Sequence, residues 1–314
     1  MLSRPLFRFV RDGHQIPFLK GAKAGLATSA VLSILSLILF FHPGLKLGLD
    51  FRGGVMVTIQ APKPETPQAV RAILQRAGQD VASVQYLGNH RTLRIAATLP
   101  AGPDNPEMTQ KVVTGVENAV TKAIPGVQVQ QADAIGASVS RELLVNGLLA
   151  LGFSMAMILA YIWVRFEWEF AFSAIITLLL DLTKTIGFMV ITRIEFDAVM
   201  VAALLTILGY STNDKVVVYD RIRENLRRFP KMPLRELLDL SINETLNRTL
   251  GTSMTVFLAA LPLALFGGET LEGFATVMLF GIVVGTSSSI FIAAPLLLLF
   301  GHDRLRPALH SKAS

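Results

Sequence analysis

Cysteine is absent from all 314 residues. That excludes a disulfide framework, a thiolate metal centre and a cysteine nucleophile. Histidine is scarce, and His14, His42, His90, His302 and His310 are scattered without ligand spacing, so no metal site is expected. Charge is scarce as well: Asp, Glu, Lys and Arg make up 17% of the chain, against about a quarter in an ordinary soluble domain. No stretch resembles a nucleotide-binding loop or a nucleophile–base–acid triad. The expectation is a protein that is not an enzyme and holds no cofactor, so that any energy it uses comes from an ion gradient.

What is abundant is apolar: 52% of residues are hydrophobic and the mean hydropathy is +0.51. That composition suits a membrane protein with a modest soluble part. Six runs are long enough to cross a hydrocarbon core as helices, at about 24–42, 143–164, 170–192, 198–219, 248–266 and 272–300. The first follows basic residues as a signal peptide would. It is longer than a usual signal core, and no small-residue cleavage site follows it, so it reads as an uncleaved anchor.

The net charge of +6 reads as basic cytoplasmic loops rather than nucleic-acid binding. Sidedness follows those basic residues. Arg4, Arg8, Arg11, Lys20 and Lys23 precede the first span, and Arg304, Arg306 and Lys312 follow the last. A basic loop over 220–245 joins spans four and five, whereas the short loops 192–197 and 266–273 are mainly acidic. These patterns divide the chain into an expected cytoplasmic 1–23, a first span 24–42, an outside domain 43–140, a five-span part 141–300 and a cytoplasmic tail 301–314. Within 220–245, a turn at Pro230 and Pro233 is expected to lead into an amphipathic helix lying on anionic lipid.

The outside segment alternates rather than running apolar. GVMVTIQ (54–60) has a strand's period; 66–78 reads as a helix capped by Thr66, with Pro67 at its first position; 82–99 reads as two strands joined at Gly88-Asn89; 105–126 as a second helix; 127–134 as a last strand. The order β-α-β-β-α-β is that of a ferredoxin-like α+β domain. Just before it, Asp50-Phe51-Arg52-Gly53-Gly54 follows the first span as a tight connection into the first strand. No helix N-terminus follows the glycines, so it is no phosphate loop.

Three intrusions break the apolar spans. Asp214, in ILGYSTNDK, lies six residues inside Asp220, roughly 9 Å from the end of its span. Burying a carboxylate there is costly, so such a group faces the bundle interior, pairs with a cation, or carries protons or ions. Arg248 sits near the start of the returning span, where the two could meet. A pair whose separation changes with conformation would bind and release a proton; a structural ion pair is the plainer reading. Asp181 and Lys184 share a helix face at i,i+3 and read either as an internal pair or as part of the same path. Gly281 and Gly285, running into Thr286-Ser287-Ser288-Ser289, with Gly147 and Gly152 in span two, predict close helix packing that includes contact with another membrane subunit.

Taken in order, GLDFRGG (48–54), ILGYSTND (207–214), YDRIREN (219–225, with Asp220, Arg221, Arg223 and Glu224), NRTL (247–250), FGG (266–268), EGF (272–274) and GTSSSI (285–290) resemble the SecF family. These are the smaller membrane subunits of the bacterial SecD–SecF accessory complex, of the RND superfamily. The likeness covers almost the whole chain. It implies a multi-pass α-helical inner-membrane protein, half of an RND-type permease, with six spans, a periplasmic ferredoxin-like domain and cytoplasmic termini. It implies SecD as partner, the SecYEG channel and YajC as neighbours, and an unfolded polypeptide as cargo, with proton entry driving the work. The family's membrane Asp falls on Asp214 and its Arg on Arg248. Two departures stand out: Ala137 follows Gly136 where relatives carry Gly-Pro, and Leu180 precedes Asp181 where relatives carry His. A small-molecule exporter would need a second six-span half, and a scaffold would need no titratable carboxylate.

Overall fold

The computed structural model describes residues 16–87, 89–99 and 106–300. The expected basic residues of the first 15 positions and of the tail, and Gly88 of the expected strand junction, lie outside them. Helix α1 (Ala22–Phe41) is followed by one turn, α2 (Leu49–Arg52), and then by β1 (Gly54–Gln60), α3 (Pro67–Arg76), β2 (Val81–Leu87), β3 (Asn89–Ala97), α4 (Pro106–Ala123) and β4 (Gln128–Ile135). The rest is helical: α5 (Ala137–Arg165), α6 (Trp168–Thr192), α7 (Ala198–Arg228), α8 (Leu234–Phe266) and α9 (Gly268–Ser288), which runs on through a π-turn at 289–293 to residue 300.

The four strands form one antiparallel sheet in the order β2-β3-β1-β4. Val55, Val57 and Ile59 of β1 meet Leu93 and Ile95 of β3 and, from the helices, Val70, Leu74, Val116 and Val120; all are essentially inaccessible. Thr66 caps α3 by accepting from the Ala69 amide at 3.3 Å, and Pro67 sits at the first position, where its missing N–H costs nothing. Ala137 likewise opens α5 at its first position, behind Gly136 as N-cap. A proline there would be tolerated but is not needed, since the site requires only helical backbone.

The Gly53-Gly54 pair earns its residue type. Gly53 has φ 74° and Gly54 φ 155°, and a Cβ on Gly54 would lie 2.5 Å from the Ala97 carbonyl oxygen and 2.6 Å from Leu49 Cδ1. Gly54→Ala is therefore expected to disrupt the β1–β3 pairing and cost the sheet domain about 2 kcal/mol or more, read as faster proteolysis within 54–135 at unchanged helicity.

The same segment ties the sheet domain to the bundle. Gly48 N–H donates to the Phe196 carbonyl (2.8 Å), Phe196 N–H to the Lys46 carbonyl (2.7 Å), and Lys46 pairs with Glu195 at 2.9 Å. Asp50 accepts from the Ala198 amide (3.1 Å) and Asp197 from the Met200 amide (2.9 Å), so two carboxylates cap the start of α7. Burial pushes the Asp197 carboxyl up; its cap bond to Met200 opposes this, and Asp50 and Glu195 add to the rise. A raised folded-state value means that stability is full below the unfolded value and declines as pH rises through the folded one. Asp197→Asn keeps the cap without the charge. It should raise the melting midpoint by about 1 °C at neutral pH and leave it unchanged near pH 3.

Five helices among the described residues are long and apolar enough to cross a membrane: 22–41, 138–165, 168–192, 234–266 and 271–300. The run expected at 198–219 forms a helix, α7, but is not among them, because Tyr210-Ser-Thr-Asn-Asp-Lys dilutes its apolar half. α7 packs against α5, α6, α8 and α9. α5 instead turns Leu148, Phe153, Met157, Trp163 and Val164 outward, as a lipid-facing helix does. The separate surface helix expected before span five is corrected. α8 is one helix from Leu234 onward, and Leu234, Leu237, Leu238, Ile242 and Leu246 are buried against Leu19, Ile222 and Leu226 rather than laid on lipid.

Candidate functional site

Of the predicted polar intrusions, Asp181, Lys184 and Asp214 are buried in the bundle, on α6 and α7, whereas Arg248 of α8 is exposed. Helical spacing sorts them. Asp214 and Lys215 are neighbours on α7 and therefore point about 100° apart. Lys215 faces α6; Asp214 faces α8.

Asp181 of α6 is the hub of the first cluster. Its Oδ1 lies 3.3 Å from Lys184 Nζ and its Oδ2 3.0 Å from Lys215 Nζ. The expected i,i+3 pair is present, but Lys184 is only one of two cations. Ser211 of α7 donates to Asp181 Oδ2 at 2.9 Å and Ser288 of α9 at 2.6 Å. Lys215 Nζ also hydrogen-bonds Ser211 Oγ. Lys184 Nζ reaches Ser29 of α1 at 3.2 Å. Asp181 and Lys215 are 1% and 0% exposed.

Asp214, also 1% exposed, has a different setting. Its Oδ2 stands 3.5 Å from Ser253 Oγ of α8, and the Thr252 and Thr286 hydroxyls face it too. Ser253 in turn meets Thr286 Oγ1 of α9 at 2.7 Å and accepts from the Tyr210 hydroxyl at 2.7 Å. No ion pair joins Asp214 to Arg248, and that expected contact is corrected. Arg248 lies five residues before Ser253, roughly 7 Å along the axis. It is exposed, in a shallow hollow with Asn247, Gly251, Thr252, Thr255 and Val256.

Sequence reasoning missed Lys215 as a partner, and with it Ser211, Ser253, Thr286 and Ser288. A charge count within the spans would have found the lysine: two carboxylates placed in lipid need two cations. The serines carried less signal, since a run of small residues serves packing as readily as polarity. Gly281 and Gly285 pack within this chain, against Ile207 and Ser211 of α7; a Cβ on Gly281 would meet Ile207 Cδ1 at 2.4 Å. Gly147 similarly admits Val201, and Gly152 faces open space.

The 219–225 motif is a set of struts at the end of the bundle far from the sheet. Tyr219 donates to Ser173 (3.1 Å), Asp220 pairs with Arg165 (2.9 Å), Arg221 with Glu224 (2.6 Å) and Glu244 (2.7 Å), and Arg223 with Glu167 (3.4 Å). Together they tie α7 to α5, α6 and α8.

Residues 115–303 match the family described as protein export membrane protein SecD/SecF, C-terminal, and residues 38–65 match the SecD/SecF GG motif. The chain belongs to the SecF family. It is 40% identical over 279 residues to a protein translocase subunit SecF of Rickettsia rickettsii, covering 88% of this chain and 89% of that one. It is 38% identical over 304 residues to one of Cereibacter sphaeroides, covering 95% and 93%. Among solved structures, SecDF of Thermus thermophilus, a translocon-associated membrane protein, superposes with a TM-score of 0.80 at 30% identity over 92% of this chain. SecDF in a super-membrane-facing form superposes with a TM-score of 0.70 at 29% identity over 99% of it. The chain spans only 39% and 41% of those two longer chains. Within the stretch that matches the SecD/SecF GG motif lies the Gly53-Gly54 turn, both of whose residues have positive φ and whose Gly54 has no room for a Cβ.

Proposed function

We propose that this chain is the proton-coupling SecF subunit of a SecD–SecF complex in a bacterial inner membrane, assisting export of unfolded polypeptides through the SecYEG channel. Six helices cross, with α7 as the fourth. The sheet domain is periplasmic, its strand order that of a ferredoxin-like fold, and both termini are cytoplasmic. α7 needs no lipid-compatible surface on the sides that its neighbours cover. Its uncovered stripe, Ala202, Thr206, Gly209 and Asn213, is small and polar and continues toward the exposed Arg248. A second half of an RND-type bundle, supplied by SecD, would cover that stripe and bring a carboxylate toward the arginine. YajC is a further expected neighbour.

One observation carries the coupling role. Of the two carboxylates at the centre of the bundle, Asp181 is held by two lysines, whereas Asp214 meets only hydroxyls. Asp214 is thus the group whose protonation can change without breaking an ion pair, and its hydroxyl neighbours on α8 and α9 move with those helices. Asp181, locked by its lysines, positions α6 against α7 and α9. The test is export of a secreted reporter into vesicles carrying the SecD–SecF complex, with Asp214→Asn against wild type, with and without a proton gradient. Loss of the gradient-dependent part supports the reading, and its persistence leaves the chain a scaffold.

A further inference from the structure

The contacts of Lys215 form a small oxygen cage. Its Nζ lies 3.0 Å from Asp181 Oδ2, 3.4 Å from the Ser211 carbonyl oxygen, 3.4 Å from Ser288 Oγ, and in hydrogen-bond contact with Ser211 Oγ. One carboxylate, one main-chain carbonyl and two hydroxyls, from α6, α7 and α9, therefore surround a single positive charge with no access to solvent. Carboxylate, hydroxyl and main-chain carbonyl oxygens are the ligands that hard cations take, and membrane transporters bind Na⁺ near the bilayer midplane through such oxygens where a helix is unwound. Here the cation is covalently tethered. Lys215 follows Ser211 by one turn of α7, so its stem folds back over that turn and delivers the ammonium to the Ser211 oxygens.

Charge balance points the same way. Asp181 and Asp214 contribute two negative charges, and Lys184 and Lys215 two positive ones. With Lys215 present the cluster is neutral and its cage full. Without it, a net charge of −1 and an empty oxygen pocket would remain inside a low-dielectric bundle, where an uncompensated ion is strongly unfavourable.

We propose that Lys215 sets the ion selectivity of this chain: its ammonium occupies an oxygen site that would otherwise take Na⁺, leaving only the proton at Asp214 free to exchange. The functional consequence rests on the coupling reading above, whereas the occupancy of the cage does not. Two readouts keep them apart. The first is the melting of the purified SecD–SecF complex in NaCl and in choline chloride at equal ionic strength. The wild type should melt identically in both. Lys215→Ala should melt several degrees lower in choline and recover in NaCl along a saturable curve, with K⁺ a weaker substitute. Asp181→Asn/Lys215→Ala, neutral again, should show no difference between the salts.

The proposal is overturned if wild-type melting depends on Na⁺, or if folded Lys215→Ala melts alike in both salts. It is also overturned if Lys215→Ala accumulates in neither salt while the double variant accumulates in both, because Na⁺ has then failed to replace the lost charge. The second readout is export by the wild-type complex driven by a Na⁺ gradient alone. It should be absent. If export responds to neither gradient, the coupling reading falls while the melting comparison still decides the cage.

Discussion

Asp181→Ala is expected to cost this chain its helical bundle. The carboxylate is the shared counter-charge of two lysines, at 3.3 Å and 3.0 Å, and accepts two serine hydroxyls as well. Lys215 is wholly buried and Lys184 nearly so. Removing one partner of a buried pair leaves its partner's charge without compensation, which typically costs about 3–5 kcal/mol. Here two ammonium groups would face one another across the vacated site. The check is the amount of chain recovered folded with SecD, and the melting midpoint of what is recovered. Lys184→Ala should cost far less, because Lys215 would remain paired. Removing the acid and its deeper base together, as Asp181→Asn/Lys215→Ala, should recover part of the loss. A complex of Asp181→Ala that assembles and melts like wild type would show that the cluster does not hold α6 to α7 and α9.

Asp214→Asn is expected to do the opposite: leave the fold and remove the work. Asparagine has the same shape, and its amide oxygen can accept from Ser253 where the carboxylate did. The substitution breaks no ion pair, so stability should change by no more than about 1 kcal/mol. It cannot ionise, so no proton can be taken up or released at this position. Gradient-dependent export should fall at least tenfold, and gradient-independent export should be unchanged. Asp214→Glu keeps a titratable group but moves it one methylene further toward α8 and α9, and should retain an intermediate fraction. The pair of variants separates titration from geometry, because a merely structural aspartate would be replaced better by the isosteric asparagine than by the longer glutamate. An Asp214→Asn complex with full gradient-dependent export would end the coupling role proposed for this residue.

The two aspartates look alike in the amino-acid sequence. Each interrupts an apolar run, and each has a lysine within three residues. Local pattern was enough for much else. Apolar length placed five of the helices that can cross a membrane, and alternation together with Thr66, Pro67 and the Gly53-Gly54 pair located every element of the sheet domain. Those features depend on neighbours a few positions away, through backbone dihedrals and the periods of strand and helix. The i,i+3 contact between Asp181 and Lys184 belongs with them.

What required the tertiary structure is which partner each charge chose. Lys215 passes over its chain neighbour Asp214 to pair with Asp181, 34 positions away, because successive helical side chains diverge by about 100° and α6 lies on the lysine's side. Asp214 is left to the hydroxyls of α8 and α9, and Arg248, expected to meet it, faces outward. Gly281 and Gly285 of α9 close on α7, and the leucines of 234–246 turn into the bundle instead of onto lipid. Burial inside a bundle depends on the angle and neighbours of each helix, which residues far apart in the chain decide together. Composition and period determined that this chain is a membrane protein with a small α+β domain; only helix packing decided which of its two central carboxylates is paired with lysines and which meets hydroxyls alone.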